Sequence, residues 1–592
     1  MKTLLARKGI IILLVAAILS VSFLHLLTLV SDPDFFWHLK TGEWIWHTQS
    51  LPSEDPFSYT AQGLHTSRSH SVLTSYFLSQ VTYYLFYRTG GMTGIVVLRF
   101  ILLGSLIFIM IKRKEGDNIL YLGLLLIFLT LFLKIYSLER PQIFSFIFFG
   151  VLLFALQKIK DGPLSFGRRT AVFISFVMLI WANTHQGYVL GQITLLLFLV
   201  LVGVKFLHPA LRPSEKGAYR NLVVAGASGI LISFANPNTY HTWKDMVFQP
   251  DFTIAGNVEY QSTLDSFLLF HNDVIVLYWF ILCLTIAGLV LNRKKIDITE
   301  VALLAGTGYY SFSSVRYVAV FMIVALPLAG RFFSTGRILK AGAPLILLVS
   351  LTGGLFFTWD EHSNLENLTS RAWVNSAFPV DAAEFAVANN LKGNMYNYYN
   401  WGGYLIWKLA PERKVFIDGR CLDPDIVKQS ILIETAYRRK VPERPAWKSV
   451  LESHEVQYIL IPFSQPDGTL LPLLPALLRE RDWVPVFLRG NTSIFVKDSV
   501  PNYEVITKYA IPRNYFFAAL IQICDSFIRA YPQDIFPYIT KGDLYLSTAR
   551  FTEARQAYEK VIGIAPFNAT AKERLQFISG LEQRAKPVRP RE

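Results

Sequence analysis

The sequence predicts a polytopic bundle of membrane-spanning α-helices, then a small α/β domain and a short helical segment. Three observations carry this. Of 592 residues, 52% are hydrophobic and only 17% charged, where a soluble chain of this size carries about a quarter, and the mean hydropathy is +0.36. The apolar residues gather in runs of the ~20 residues that cross a bilayer as helix. The runs stop near Trp359, and the remaining stretch of roughly 230 residues has ordinary charge density, enough for one or two further domains.

The N-terminus, MKTLLARKG, is basic and precedes an apolar run. No small-residue cleavage site follows and more spans do, so this reads as an uncleaved first helix with a cytoplasmic N-terminus. Eleven spans are expected, at about 9–31, 91–111, 118–136, 141–157, 170–184, 188–205, 221–236, 273–292, 299–313, 315–331 and 341–358. The stretch 71–88 is apolar but short and dotted with Ser, Thr and Tyr. Counting it as a span would place Lys112, Arg113 and Lys114 outside, so it is assigned to an interfacial or re-entrant helix within a long first outer loop, 31–90. Cytoplasmic segments then hold about twenty Lys and Arg, among them Lys158, Lys160, Arg168, Arg169, Arg293, Lys294 and Lys295, against roughly seven in the outer loops. The odd span count leaves the C-terminal part outside. Topology accounts for the net charge of +14, and no nucleic-acid partner is expected. Cys283, Cys421 and Cys524 have neither a disulfide nor a metal-ligand spacing.

The first outer loop holds SDPDFFWHLKTGEWIWHTQSLPSEDPFSYTAQG. Asp32 before Pro33 is a helix start, an N-capping acid followed by proline in the first turn. The aromatic stretch after it suits a helix at the headgroup level. Asp34 and His38 are four apart and share a face. A carboxylate paired with an imidazole suits a general base or, with His38, a ligand set for a divalent cation such as Mg or Mn. Asp32 has a second reading, as a cap alone. Glu54, Asp55 and Pro56 form another acidic turn. Further outer ends carry Arg140 (in SLERPQ), His185 (WANTHQG), Asn236 and His241 (FANPNTYHTW), Asp251, Glu259 and Arg316 (SSVRY). Either arginine alone fits a snorkelling boundary residue. Two arginines together with histidines and carboxylates at one leaflet suit a phosphate or pyrophosphate headgroup, which guanidinium grips bidentately.

The segments DPDFFWHLKTGEWI, LPSEDPFSYTAQG, LERPQIFSF, WANTHQGYVLG and NWGGYLIW with KVFIDGR, in order over about residues 10 to 500, resemble a bacterial family of polytopic membrane proteins. That family is grouped with the C-type, lipid-linked-sugar-dependent glycosyltransferases. The resemblance implies a transmembrane domain over 1–360 in the bacterial inner membrane, surrounded by membrane lipids, and a polyprenyl-phosphate sugar as donor. It makes Asp34 the leading catalytic residue, as base or metal ligand, with Asp32 or Asp55 in support. Arg140 and Arg316 become phosphate contacts, and His38, His185, Asn236 and Glu259 complete the substrate-binding set. Phe36-Trp37 stands where many relatives carry a Trp pair, an aromatic change at a place suited to sugar stacking. The implied activity is transfer of the sugar to a lipid, glycan or protein acceptor on the outer face. Two other readings are an O-antigen-type ligase or polymerase, which would need a large late outer loop, and a non-enzymatic scaffold for envelope assembly.

Residues 375–500 alternate strand patterns (GNMYNYY, RKVFIDG, VQYILIPF, WVPVFLR, TSIFVKD) with amphipathic helices, an α/β domain. Asp418, Gly419 and Arg420 end a strand, where ligands often bind in such sheets. The alternative is that Asn400, Trp401 and Asp418 are braces. Residues 510–582 fit one tetratricopeptide repeat, with Ala554 and Ala557 in its second helix and Pro566 closing it, preceded by a degenerate half. One repeat cannot bury a core alone, so it docks on the α/β domain or meets a protein partner. The basic tail 583–592 is expected to be disordered.

Overall fold

The computed structural model describes residues 28–114, 118–136, 139–161, 167–207, 216–248, 258–268, 272–291, 297–334, 374, 377–436, 440–441 and 444–585. The span expected at 341–358, nearly all of that at 9–31, Asp251 and residues 586–592 lie outside these. The chain divides into two compact units, Met1–Ser53 with His65–Asn375, and Glu54–Leu64 with Ser376–Glu592.

The first unit is helical. Its α1 (Pro33–Thr48) starts as the sequence dictates, with the Asp32 carboxylate accepting the Asp34 N–H at 2.8 Å and Pro33 in the first turn. Rather than lying open on a surface, α1 buries Phe35, Phe36, Trp37 and His38. Next come α2 (Ser67–Thr74), closed by a Thr66–Ser69 capping box, and α3 (Phe77–Lys112). The expected interfacial segment and the span after it therefore form one helical run, broken at Gly91, whose φ of 59° and ψ of −147° only glycine adopts at little cost.

There follow α4 (Asn118–Ile135), α5 (Gln142–Asp161), α6 (Gly167–Ala182), α7 (Tyr188–Leu207), α8 (Lys216–Ile232), α9 (His241–Phe248), α10 (Thr263–Leu268), α11 (Ile275–Leu291), α12 (Ile298–Ser313) and α13 (Val318–Ser334). Leu124, Leu129, Phe149, Met178, Trp181 and Met322 fill the interior. The outward faces are apolar too, with Phe108, Val172, Phe176, Leu231 and Val290 more than half exposed, unlike an amphipathic helix in water. Among the described residues, Ser67–Lys112 and Gln142–Ile159 are long and apolar enough to cross a membrane. At six further expected spans the apolar helix is shorter, as in Arg169–Ala182 or Ile275–Val290.

The second unit is built on a sheet of β1 (Asn394–Asn397), β2 (Val456–Pro462), β3 (Trp483–Arg489) and β4 (Thr492–Lys497), in the order β1-β2-β4-β3. Strand β1 runs parallel to β2, and the other pairs are antiparallel. The segment RKVFIDG, expected as a strand, does not join this sheet. Asn397 Oδ1 takes the Phe416 N–H at 2.8 Å, and Val415 exchanges backbone hydrogen bonds with Phe57 and Tyr59. Residues Glu54–Leu64, expected in the first outer loop of the bundle, thus fold with this unit. Four helices close the chain, α14 (Arg513–Ala530), α15 (Phe536–Ser547), α16 (Phe551–Ile564) and α17 (Ala569–Ala585). Ile539, Ala554, Tyr558, Val561, Ala571 and Ile578 form the core of α15 to α17. They are tied to the α/β part through Thr540 Oγ1, which donates to the Gly468 carbonyl at 2.6 Å, and Asp543, which accepts the Leu470 N–H. Cys421 and Cys524 are buried, free thiols.

Candidate active site at the start of helix α1

The loop between α4 and α5 presents Arg140, and three carboxylates converge on it. Its Nε meets Asp32 Oδ2 at 2.5 Å, Nη1 meets Glu259 Oε1 at 2.6 Å, and Nη2 lies 3.4 Å from Asp34 Oδ2. Each nitrogen of the fork serves a different acid, a geometry open to a planar guanidinium and closed to an ammonium. Burial works against the charge, yet Asp32, Asp34 and Glu259 together hold the Arg140 guanidinium above its usual pKa. The Asp32 side chain is 5% exposed and Asp34 26%. Asp32 is a cap and an ion-pair partner, while Asp34 is the more solvent-exposed of the two. Its Oδ1 accepts from Trp37 Nε1 at 3.2 Å, which leaves a carboxylate with further lone-pair capacity.

Next to Arg140, Glu139 is buried and pairs with Arg99, whose Nη1 also donates to the Thr28 carbonyl at 2.5 Å. The sequence reading passed over this pair. The signal was available: an arginine inside an apolar helix is paired or functional by default.

An aromatic and imidazole wall extends from Asp34. Trp37 stacks on His38 with 3.5 Å between centroids, His38 meets Tyr76 edge-on at 5.1 Å, and Tyr76 meets His185 at 5.6 Å. Gln80 Nε2 lies 3.2 Å from His38 Nδ1. Trp37 is 5% exposed and Phe36 wholly buried, so these rings pack the protein and present little face to a sugar. Arg316, in the turn between α12 and α13, donates to Tyr260 Oη at 2.5 Å and lies over its ring. Among the described residues no carboxylate lies within ion-pair distance of it. Its charge acts on Tyr76, His185 and Glu259, which places it in the same constellation.

Of the residues singled out in the sequence, Asp32, Asp34 and Glu259 are in direct contact with Arg140, His38 and His185 both meet the Tyr76 ring, and the charge of Arg316 reaches Tyr76 and His185. Asn236 has a different place. Its Oδ1 accepts the N–H groups of Asn238 and Thr239 at 2.9 Å, so it holds the turn between α8 and α9. Asp55 belongs to the second unit. It grips Arg420 bidentately at 2.6 and 3.1 Å and accepts the Phe57 and Ser58 N–H groups. Asp418 faces the same guanidinium. Burial pushes its carboxyl up, but Arg420 outweighs burial and holds it below the usual range. These residues act as a buried brace.

Three carboxylates against one arginine leave an excess of two negative charges, chemistry that suits a hard divalent cation. Their placement does not. An oxygen of each is turned onto Arg140, and among the described residues no group of three His, Cys, Asp or Glu side chains is close enough to hold a metal ion. Asp34 and His38 share one face of α1, and among the described residues no third ligand of this kind joins them.

No family model matches the sequence, and no curated protein does. Two solved structures of the Archaeoglobus fulgidus oligosaccharyltransferase are similar to the chain. One is the apo form, at 10% identity and a TM-score of 0.47. The other is tethered by a disulfide bond to an acceptor peptide containing the NVT sequon, at 11% and 0.46. Each alignment covers 82% of this chain and 74% of that one.

Proposed function

We propose that this protein is a multi-span glycosyltransferase of the bacterial inner membrane, moving a sugar from a polyprenyl-phosphate donor to an acceptor on the outer face. The observation that carries the reading is the presence of a solvent-reachable Asp34, held by Arg140, and of a second arginine, Arg316, with no described carboxylate within ion-pair distance. The apolar outward faces of the bundle helices support the membrane setting.

The two arginines take different roles. All three nitrogens of Arg140 already face acids, and so its role is to orient Asp34 rather than to grip phosphate. Arg316 keeps a positive charge for the donor. In the reaction an acceptor hydroxyl gives its proton to Asp34 as its oxygen attacks the anomeric carbon. The bond from that carbon to the phosphate oxygen breaks, and its electron pair leaves with the polyprenyl phosphate, whose growing charge Arg316 stabilises. The helices α14 to α17 offer a surface for an acceptor or an assembly protein.

Asp34→Asn should abolish sugar transfer while membrane insertion and abundance stay unchanged. A scaffold would tolerate neutral changes at Asp34 and Arg316 yet fail when truncated after about residue 510, and that pattern would overturn the assignment.

A further inference from the structure

Ser145 on α5 and Trp181 on α6 meet at His185. Trp181 Nε1 lies 2.7 Å from Ser145 Oγ, and Ser145 Oγ lies 2.7 Å from His185 Nδ1. An indole N–H only donates. Ser145 Oγ therefore accepts from Trp181, which leaves its hydroxyl proton and a second lone pair for the contact with Nδ1. The backbone N–H of Gly187 also points at Nδ1, at 2.9 Å, and a backbone N–H has no way to accept. The Gly187 N–H makes Nδ1 the acceptor, so the Ser145 hydroxyl donates to it as well and the ring proton sits on Nε2. The sequence makes room for this: a Cβ at position 187 would stand 2.4 Å from Ser145 Oγ and 2.9 Å from Nδ1.

We propose that His185 is a tautomer-locked hydrogen-bond donor, with Ser145, Trp181 and Gly187 as its positioning residues, and that its Nε2–H serves a phosphate oxygen of the lipid-linked donor. This rests on the glycosyl-transfer reading, since Arg316 acts on the same imidazole and would share the phosphate. The groups facing His185 are the Tyr76 ring, the Ser145 hydroxyl and the Arg316 charge. Burial first, and then Arg316, lower its pKa to about 3. The ring stays neutral across the working range, so it gives a hydrogen bond and transfers no proton.

The test uses full-length protein in detergent micelles, with undecaprenyl phosphate as the probe. A glutamine amide reaches the place of Nε2–H, whereas an asparagine amide reaches only that of Nδ1. His185→Gln should therefore bind within about threefold of the unsubstituted protein, and His185→Asn roughly ten- to a hundredfold more weakly, the range of a hydrogen bond to a charged group. The ratio between the unsubstituted protein and His185→Gln should stay constant from about pH 5.5 to 8, because the group being exchanged does not titrate there. In ¹⁵N-histidine-labelled protein the His185 signal should show a protonated Nε2 and a bare Nδ1, and Ser145→Ala should weaken that preference. A protonated Nδ1, an imidazolium signal near pH 6, or equal binding losses in the glutamine and asparagine variants would overturn the inference. If the unsubstituted protein does not bind the lipid phosphate, the glycosyl-transfer reading and the proposed ligand both fall, while the nitrogen signals still decide the tautomer.

Discussion

Arg140→Lys keeps the charge and removes the fork. In the native site three nitrogens reach three acids, Asp32 at 2.5 Å, Glu259 at 2.6 Å and Asp34 at 3.4 Å. A lysine ammonium is a point charge and would settle on the most buried acid, Asp32, leaving Asp34 and Glu259. A hydrogen bond to a charged group is worth ~1.5–3 kcal/mol. With both acids a quarter or more exposed, the low end applies to the Glu259 hydrogen bond and less than about 1 kcal/mol to the Asp34 ion pair, so roughly 2–2.5 kcal/mol is lost over the two contacts. That is near the ~2.7 kcal/mol of a hundredfold rate effect, the scale of misplacing a reacting group by about 1 Å. Steady-state transfer with a polyprenyl-phosphate sugar should show kcat down about a hundredfold, with KM for the donor within about threefold. A variant with unchanged kcat and a raised donor KM would refute this reasoning. It would return Arg140 to phosphate binding, the role implied by the sequence resemblance.

Asp55→Ala should destabilise the second unit by about 3–5 kcal/mol, the cost of leaving one partner of a buried ion pair behind, and limited proteolysis of the full chain should show that unit cut sooner. A variant that resists protease normally and yet has lost transfer would restore Asp55 to the catalytic set. Glu434 offers a pH test: burial pushes its carboxyl up to about 7, against hydrogen bonds from the Tyr399 N–H and the Tyr396 hydroxyl. Between its unfolded value of about 4.5 and 7, the unfolded chain ionises first and binds fewer protons, so stability falls as pH rises, by about 3 kcal/mol in full above 7. Glu434→Gln should therefore slow hydrogen exchange in β1 and β2 at pH 8 and leave it unchanged near pH 4.5, and equal exchange at pH 8 would contradict the burial argument.

The parts of the site legible in sequence were those governed by local rules. Asp32-Pro33 announced a capped helix, and the four-residue spacing put Asp34 and His38 on one face. The contacts of Asp32, Asp34 and Glu259 with Arg140 agree with the expectation that these residues share one side. The three-way clasp was not legible, because Arg140 and Asp32 are joined by packing across 108 positions, and Arg140 and Glu259 across 119. Tyr76 and Gln80 were passed over because their segment reads as a polar-dotted interfacial stretch, whereas it packs its polar side chains against α1. In the second unit RKVFIDG has a strand pattern, but the Asn397 side chain and the Phe57–Tyr59 backbone take its hydrogen bonds before the sheet does. Local pattern names the element's conformation, and side-chain competition decides its partner.

Sugar transfer from a polyprenyl-phosphate donor should depend on Asp34. Mass spectrometry of the polyprenyl-linked sugars in cells lacking the native chain tests it most directly, with either the native or the Asp34→Asn protein restored. Donor lipids should accumulate in the deletion, return to the normal level with the native protein and stay elevated with Asp34→Asn. Identical lipid-linked pools in all three strains would contradict it.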